Sequence, residues 1–102
     1  MLKHITAQEA KKLVDDGALL VDIRETNEYA AENVPGAKNA PLSQLGRETL
    51  GAGAPAVVFH CKSGARTRMN ATALANCADV EAFILDGGIE AWKAAGYPVK
   101  RG

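Results

Sequence analysis

Two stretches of this chain are almost wholly apolar. Ala18-Leu19-Leu20-Val21-Asp22-Ile23 and Ala56-Val57-Val58-Phe59-His60 run without the alternation of a half-exposed strand. Short continuous runs of this kind suit strands covered on both faces, as in a parallel sheet. Residues 2–5, 37–40 and 82–85 are shorter strand candidates. Between them the pattern turns helical. Thr6-Ala7-Gln8-Glu9 has the capping-box form, in which a hydroxyl and a carboxylate three residues apart satisfy each other's backbone amides. Ala7, Ala10, Leu13 and Val14 then share one helical face, and Gly17 ends the element. Residues 24–31, around Asn27-Glu28-Tyr29, predict a short polar helix, and Pro35-Gly36 a turn. Residues 41–50 hold one or two helical turns, and 51–55 a loop. A helix is predicted from residue 67 to about 77 and another over 89–95, closed by Gly96 and Pro98. Alternating strands and helices predict an α/β fold: a mainly parallel central sheet of about five strands with helices on both faces.

Composition narrows the function. The 102 residues suit one domain, 1–102, and 47% apolar with 24% charged residues is an ordinary globular mix. Twelve Lys and Arg balance twelve Asp and Glu, so the basic excess of a nucleic-acid module is missing. No apolar run approaches the roughly 20 residues of a membrane span, and no apolar signal core follows the N-terminus. Two cysteines are too few for a disulfide scaffold and lack metal-ligand spacing. The expectation is a cytoplasmic domain with no cofactor, no bound metal, no nucleic acid and no membrane in this chain.

Chemistry concentrates at one loop. In open α/β sheets ligands bind outside the carboxyl ends of the strands. Cys61 falls at such an end, followed by Lys62, Ser63, Gly64, Ala65 and Arg66 and then by a helix. Successive amides in a tight glycine-containing loop form an anion nest, and the helix adds its positive end. A free cysteine titrates near 8.5, and lowering that by about 2 units takes about 2.7 kcal/mol. A helix end supplies only about 0.3–1 kcal/mol in ordinary geometry, so amides or a nearby cation must provide the rest. A buried structural cysteine does not call for glycine, serine and two cations in the next five residues.

The other chemical residues read as structural. Met69, Ala73 and Cys77 share i, i+4, i+8 spacing, a packing stripe that sets Cys77 about 16 Å along the helix from Arg66. A disulfide needs Cα atoms within about 7 Å, so Cys77 is not expected to resolve Cys61. His60 precedes Cys61 in a strand and so points to the opposite face. Asp22 and Arg24 lie on one side of a strand end and suit an ion pair that orients nearby loops. Trp92 with Ile89 reads as a core anchor and Gly87-Gly88 as a backbone device with positive φ. His4 carries no signal.

Four segments together resemble the rhodanese (thiosulfate sulfurtransferase) family across nearly the whole chain. Leu20-Val21-Asp22-Ile23-Arg24-Glu25, with Glu28-Tyr29, is similar to its early strand and D-x-R segment. Val34-Pro35-Gly36-Ala37-Lys38-Asn39 resembles H-I-P-G-A-x-N, with Asn33 where the family often has histidine. Cys61 to Arg66 resembles the C-x-x-G-x-R active-site loop, and Gly87-Gly88-Ile89-Glu90-Ala91-Trp92 with Gly96-Tyr97-Pro98-Val99 the closing signature. The loop also resembles that of bacterial rhodanese domains that precede a membrane anchor. The resemblance implies a rhodanese-like fold and a ping-pong sulfurtransferase. In that scheme Cys61 takes sulfane sulfur from thiosulfate or a related donor as a persulfide and passes it to cyanide or a thiol. Lys62, Ser63, Gly64, Ala65 and Arg66 would form the binding loop.

Two alternatives remain at this point. One is a sulfur-relay or binding module whose acceptor is a protein thiol. The other is a cysteine phosphatase or arsenate reductase of related fold. Those enzymes use a longer C-x5-R loop to wrap a tetrahedral oxyanion, whereas here Arg66 follows Cys61 after four residues.

Overall fold

The computed structural model describes residues 2–47 and 49–102. In chain order the elements are β1 (Lys3–Ile5), α1 (Ala7–Asp15), β2 (Leu19–Asp22), α2 (Thr26–Ala31), β3 (Glu32–Asn33), β4 (Lys38–Asn39), a 3-10 turn (Leu42–Gln44), β5 (Val57–His60), α3 (Ala65–Met69), α4 (Ala71–Cys77), β6 (Ala82–Leu85), α5 (Gly88–Ala94) and β7 (Lys100–Arg101). Five strands form one sheet in the order β1-β6-β5-β2-β4. Every pairing in it is parallel. The apolar runs form β2 and β5 as the pattern predicts, and β5 is central.

The β5 side chains alternate between two cores. Ala56 and Val58 join Ala7, Ala10, Ile89 and Trp92 on the face covered by α1 and α5. Val57, Phe59 and Cys61 join Leu74, Cys77 and Ile84 on the face covered by α4. Both faces of the sheet are therefore sealed, which is why these strands carry no polar alternation.

Local expectations hold at α1. Thr6 Oγ1 accepts from the Glu9 amide at 3.1 Å, and Glu9 Oε1 accepts from the Thr6 amide at 3.0 Å. Trp92 is buried, donates from Nε1 to the Pro98 carbonyl at 2.8 Å, and meets Tyr97 edge-on with centroids 5.1 Å apart. Such a pair contributes about 0.5–1.5 kcal/mol beyond area burial.

Two features depart from the sequence pattern. The helix predicted from residue 67 to about 77 is two helices, broken at Asn70, whose φ of −117° is not helical. Its side-chain amide donates to the Arg66 carbonyl at 2.8 Å, an alternative partner to the helix ladder of the kind that disfavours asparagine inside helices. The expected stripe does not form: Met69 is 84% exposed, and Ala73 is exposed on α4, whose buried face is made by Leu74 and Cys77. The roughly 16 Å expected along one continuous helix therefore does not apply, and Cys61 and Cys77 are both free thiols. The second departure is a small antiparallel sheet of β3 and β7. Strands of two residues carry no periodicity to read.

Among the described residues no helix is long and apolar enough to cross a membrane.

Candidate active site

Because the central sheet is parallel, all its carboxyl ends lie along one edge. The segments after β2, β5 and β6 are neighbours there: Asp22-Ile23-Arg24, the loop from Cys61, and Gly87-Gly88. Register pairs Asp22 with His60 and Phe59 with Ile84, so the three segments leave the sheet side by side.

Cys61 is wholly buried. Its Sγ accepts from the Gly64 amide at 3.1 Å. Gly64 has φ +98°, and a Cβ there would lie 2.9 Å from Arg68 Nη1 and 3.1 Å from the Gly87 nitrogen. Only glycine makes this turn, which brings the chain back over the sulfur. Thr67 Oγ1 stands 3.8 Å from Sγ and donates to the Gly64 carbonyl at 2.9 Å. That hydroxyl has one proton, so it braces the loop while Cys61 is a thiol and can turn to the sulfur when Cys61 is a thiolate.

Burial pushes the Cys61 thiol up, and hydrogen bonds from the Thr67 backbone and hydroxyl and from the Gly64 and Arg66 amides push it down; the balance lies below its ordinary value. The following helix is five residues long. The Arg66 and Thr67 amides belong to its first turn, so the downward push comes from directed N–H groups at the start of this short helix together with the Gly64 amide and the Thr67 hydroxyl.

Lys62, Ser63 and Ala65 are exposed on the rim of the loop. Arg66 is half-buried and engaged: its Nη1 and Nη2 donate to the two Glu28 carboxylate oxygens at 2.7 and 3.0 Å. The Arg66 side chain holds the Glu28 carboxyl down at about 2. Glu28, on α2, is thus a member of the site that sequence reasoning missed as such, since it lies 38 positions from its partner. Thr67 was missed too; its signal is a hydroxyl three residues after the loop glycine.

Behind the loop, Asp22 and Arg24 are both buried. Arg24 donates to Asp22 from its backbone amide at 2.9 Å, from Nε at 3.0 Å and from Nη2 at 2.7 Å, and Nη2 also reaches the Glu32 carbonyl at 2.6 Å. The expected ion pair is therefore present and ties the β2 end to β3. His60 lies on the opposite side of β5 from Cys61, as alternation requires. Its Nδ1 is 3.1 Å from the Cys61 carbonyl. A carbonyl only accepts, so Nδ1 carries the proton. Nε2 is 3.7 Å from Asp22 Oδ2, too far for a hydrogen bond, and has no hydrogen-bond partner among the described residues. Burial holds His60 below its ordinary value, against the pull of Asp22. A neutral imidazole on the far face is a brace for the strand end, not a base for the sulfur.

The family model that matches is that of the rhodanese-like domain, over residues 6–95. The thiosulfate sulfurtransferase GlpE of Ectopseudomonas mendocina is 31% identical over 93 residues, covering 90% of this chain and 85% of that one. An uncharacterized protein of Synechocystis is 40% identical over 85 residues, 81% of this chain, which spans only 47% of that protein's length. Among solved structures, a rhodanese-related protein of Thermoplasma volcanium superposes with a TM-score of 0.80 at 25% identity, over 96% of this chain and 97% of that one. The chain belongs to the rhodanese-like domain family. At family level these matches support sulfurtransferase activity.

Proposed function

We propose that the protein is a thiosulfate sulfurtransferase that carries sulfane sulfur on Cys61. The Cys61 thiolate attacks the outer sulfur of thiosulfate. The bond between the two donor sulfurs breaks, and its electron pair leaves with sulfite. A Cys61 persulfide anion remains. Cyanide or a thiolate then attacks the terminal sulfur, and the Cys61 thiolate is released with the electron pair of the broken bond. No redox partner is required, because the sulfane sulfur moves without net change of oxidation level.

The observation that carries this reading is the buried Cys61 sulfur with the Gly64 amide aimed at it. Anionic states of sulfur occur at each stage, and a fixed amide stabilises charge without having to reorganise. Since Cys61 is wholly buried, donor entry requires the exposed rim at Lys62, Ser63 and Ala65 to yield. Lys62 is placed to draw an anionic donor toward that rim. The cytoplasm, with its thiols and persulfides, is the compartment this chemistry suits, and a protein thiol is an alternative acceptor.

The test is a thiosulfate-to-cyanide transfer assay with Cys61→Ser beside the parent. Thiocyanate production in the parent and none in the folded variant is the expected result. Equal activity in both would remove Cys61 from the reaction.

A further inference from the structure

Cys61 is held from two sides. Its sulfur faces the core beneath α4, where the Gly64 amide meets it. Its carbonyl faces the other way and accepts two hydrogen bonds, from the Ile89 amide at 2.9 Å and from the His60 ring at 3.1 Å. The next carbonyl, that of Lys62, accepts from the Glu90 amide at 3.1 Å. Ile89 and Glu90 open α5, so their N–H groups have no partners inside the helix. The loop carbonyls satisfy them.

This arrangement has a directional consequence. In a planar trans peptide the C=O and the following N–H point to opposite sides. Fixing the Cys61 carbonyl on the α5 side therefore fixes the Lys62 amide on the other side, and fixing the Lys62 carbonyl does the same for the Ser63 amide. The first two peptides of the loop are thus fixed, and from them the chain turns to Gly64, whose amide meets the sulfur.

The approach depends on Gly88. Its φ is +57°, and a Cβ there would strike the Cys61 carbonyl oxygen and lie 2.6 Å from the Lys62 carbonyl oxygen and 2.7 Å from its carbon. These are backbone atoms and cannot swing aside as a side chain does. Gly87 makes an informative contrast. Its φ is +77°, but a Cβ on it would meet Ala91 Cβ at 2.6 Å, within its own helix. Both glycines have positive φ, but a Cβ on Gly88 alone of the two would meet the carbonyls of Cys61 and Lys62, whereas Gly87 touches the loop through its nitrogen at Gly64.

We propose that Gly88 is a positioning residue for sulfur transfer: its bare Cα lets the first amides of α5 hold the Cys61 and Lys62 carbonyls, which fixes the two peptides from which the chain turns to set the Gly64 amide on the sulfur. This deepens the reading of Cys61 as the sulfur carrier and rests on it.

The experiment compares Gly88→Ala with Gly96→Ala, a glycine of φ +84° beyond the far end of α5 with nothing within 4 Å of its Cβ position, both in a Cys77→Ala background so that one thiol titrates. Thiolate ultraviolet absorbance against pH gives the Cys61 midpoint, thermal unfolding gives stability, and thiosulfate-to-cyanide kinetics give kcat and KM. Both substitutions should lower the unfolding temperature. Gly88→Ala alone should raise the Cys61 midpoint by about one unit, a tenfold loss of thiolate below it. Its kcat should fall about 10²-fold, the scale of a 1 Å misplacement, with KM changed far less. An equal midpoint shift in both variants, or an unchanged midpoint in Gly88→Ala, overturns the proposal. Should Gly88→Ala fail to fold, an amide-to-ester replacement at Ile89 removes only the donor to the Cys61 carbonyl. That protein should show a raised midpoint, and an unchanged one overturns the proposal. The midpoints are read without any donor, so they stand even if the parent proves unable to carry sulfur, a failure that would strike the reading of Cys61 alone.

Discussion

Glu28 holds Arg66 with both carboxylate oxygens, at 2.7 and 3.0 Å, and so takes up much of the charge that the loop from Cys61 to Arg66 would otherwise present to an anion. Arg66 is a shared cation. Part of its field reaches Cys61, whose thiolate adds to the forces that raise Arg66 above its ordinary value, behind the larger effect of Glu28.

Glu28→Gln should therefore strengthen use of an anionic donor. The KM for thiosulfate is expected to fall a few-fold and to rise more steeply with added salt, since a half-exposed cation is screened over about 8–10 Å. The stability cost should be small, about 0.2–1 kcal/mol, because the Arg66 and Glu28 side chains are 35% and 30% exposed and water screens the pair. Glu28 is held down at about 2, so the pair's contribution is complete above the ordinary carboxylate value near 4.5 and disappears as pH falls toward 2. Steady-state kinetics at several ionic strengths, with denaturant titrations from neutral to acid pH, check both halves. An unchanged KM would mean that Arg66 does not meet the donor.

His60 gives the protein an acid sensitivity of its own. Burial lowers its pKa below 6.5, so under mildly acidic conditions the unfolded chain takes a proton that the native state refuses. Stability then falls as pH drops below about 6.5, at up to about 1.4 kcal/mol per pH unit. His60→Phe should flatten that part of the profile in urea denaturation series. A slope of the same size in the variant would place the sensitivity elsewhere.

Arg24→Met tests the brace behind the loop. It leaves the buried Asp22 without its guanidinium partner and with only the residue-24 backbone amide, a change that costs about 3–5 kcal/mol. Unfolding at much lower urea concentration is the expected result. A loss below about 1 kcal/mol would show that water enters to solvate Asp22, since surface changes fall within that range.

Much of this was legible in the chain. Continuous apolar runs gave β2 and β5, the capping box gave α1, and the place of Cys61 after a buried strand marked the candidate site. These are local signals, in which neighbouring residues decide the outcome. The missed features depend on distant partners. Glu28 is found only when α2 is folded against α3, and β3 finds β7 only when residues 32–33 meet residues 100–101. The break at Asn70 was a local signal read wrongly: spacing alone favoured one helix, but the asparagine amide competes for the Arg66 carbonyl. The consequence of the glycine pair lay in between. Its positive φ was predictable from composition, whereas its contact with the Cys61 and Lys62 carbonyls required the strand order β6-β5.

Cys77→Ala should retain sulfur transfer at the parental rate. Cys77 is buried on α4 and packs in the core without meeting the loop donors. A stability loss of about 1 kcal/mol, the scale of a methyl-sized void, is expected in thermal unfolding. A large loss of activity in a folded variant would give Cys77 a part in resolving the persulfide.

The most direct measurement is the intact mass of the protein after thiosulfate is added and excess donor removed, with peptide mapping to locate any gain. The account predicts an added mass of one sulfur atom, located on Cys61, absent from Cys61→Ser and discharged when cyanide is supplied. A parent protein that gains no sulfur, or gains it equally in Cys61→Ser, would contradict it.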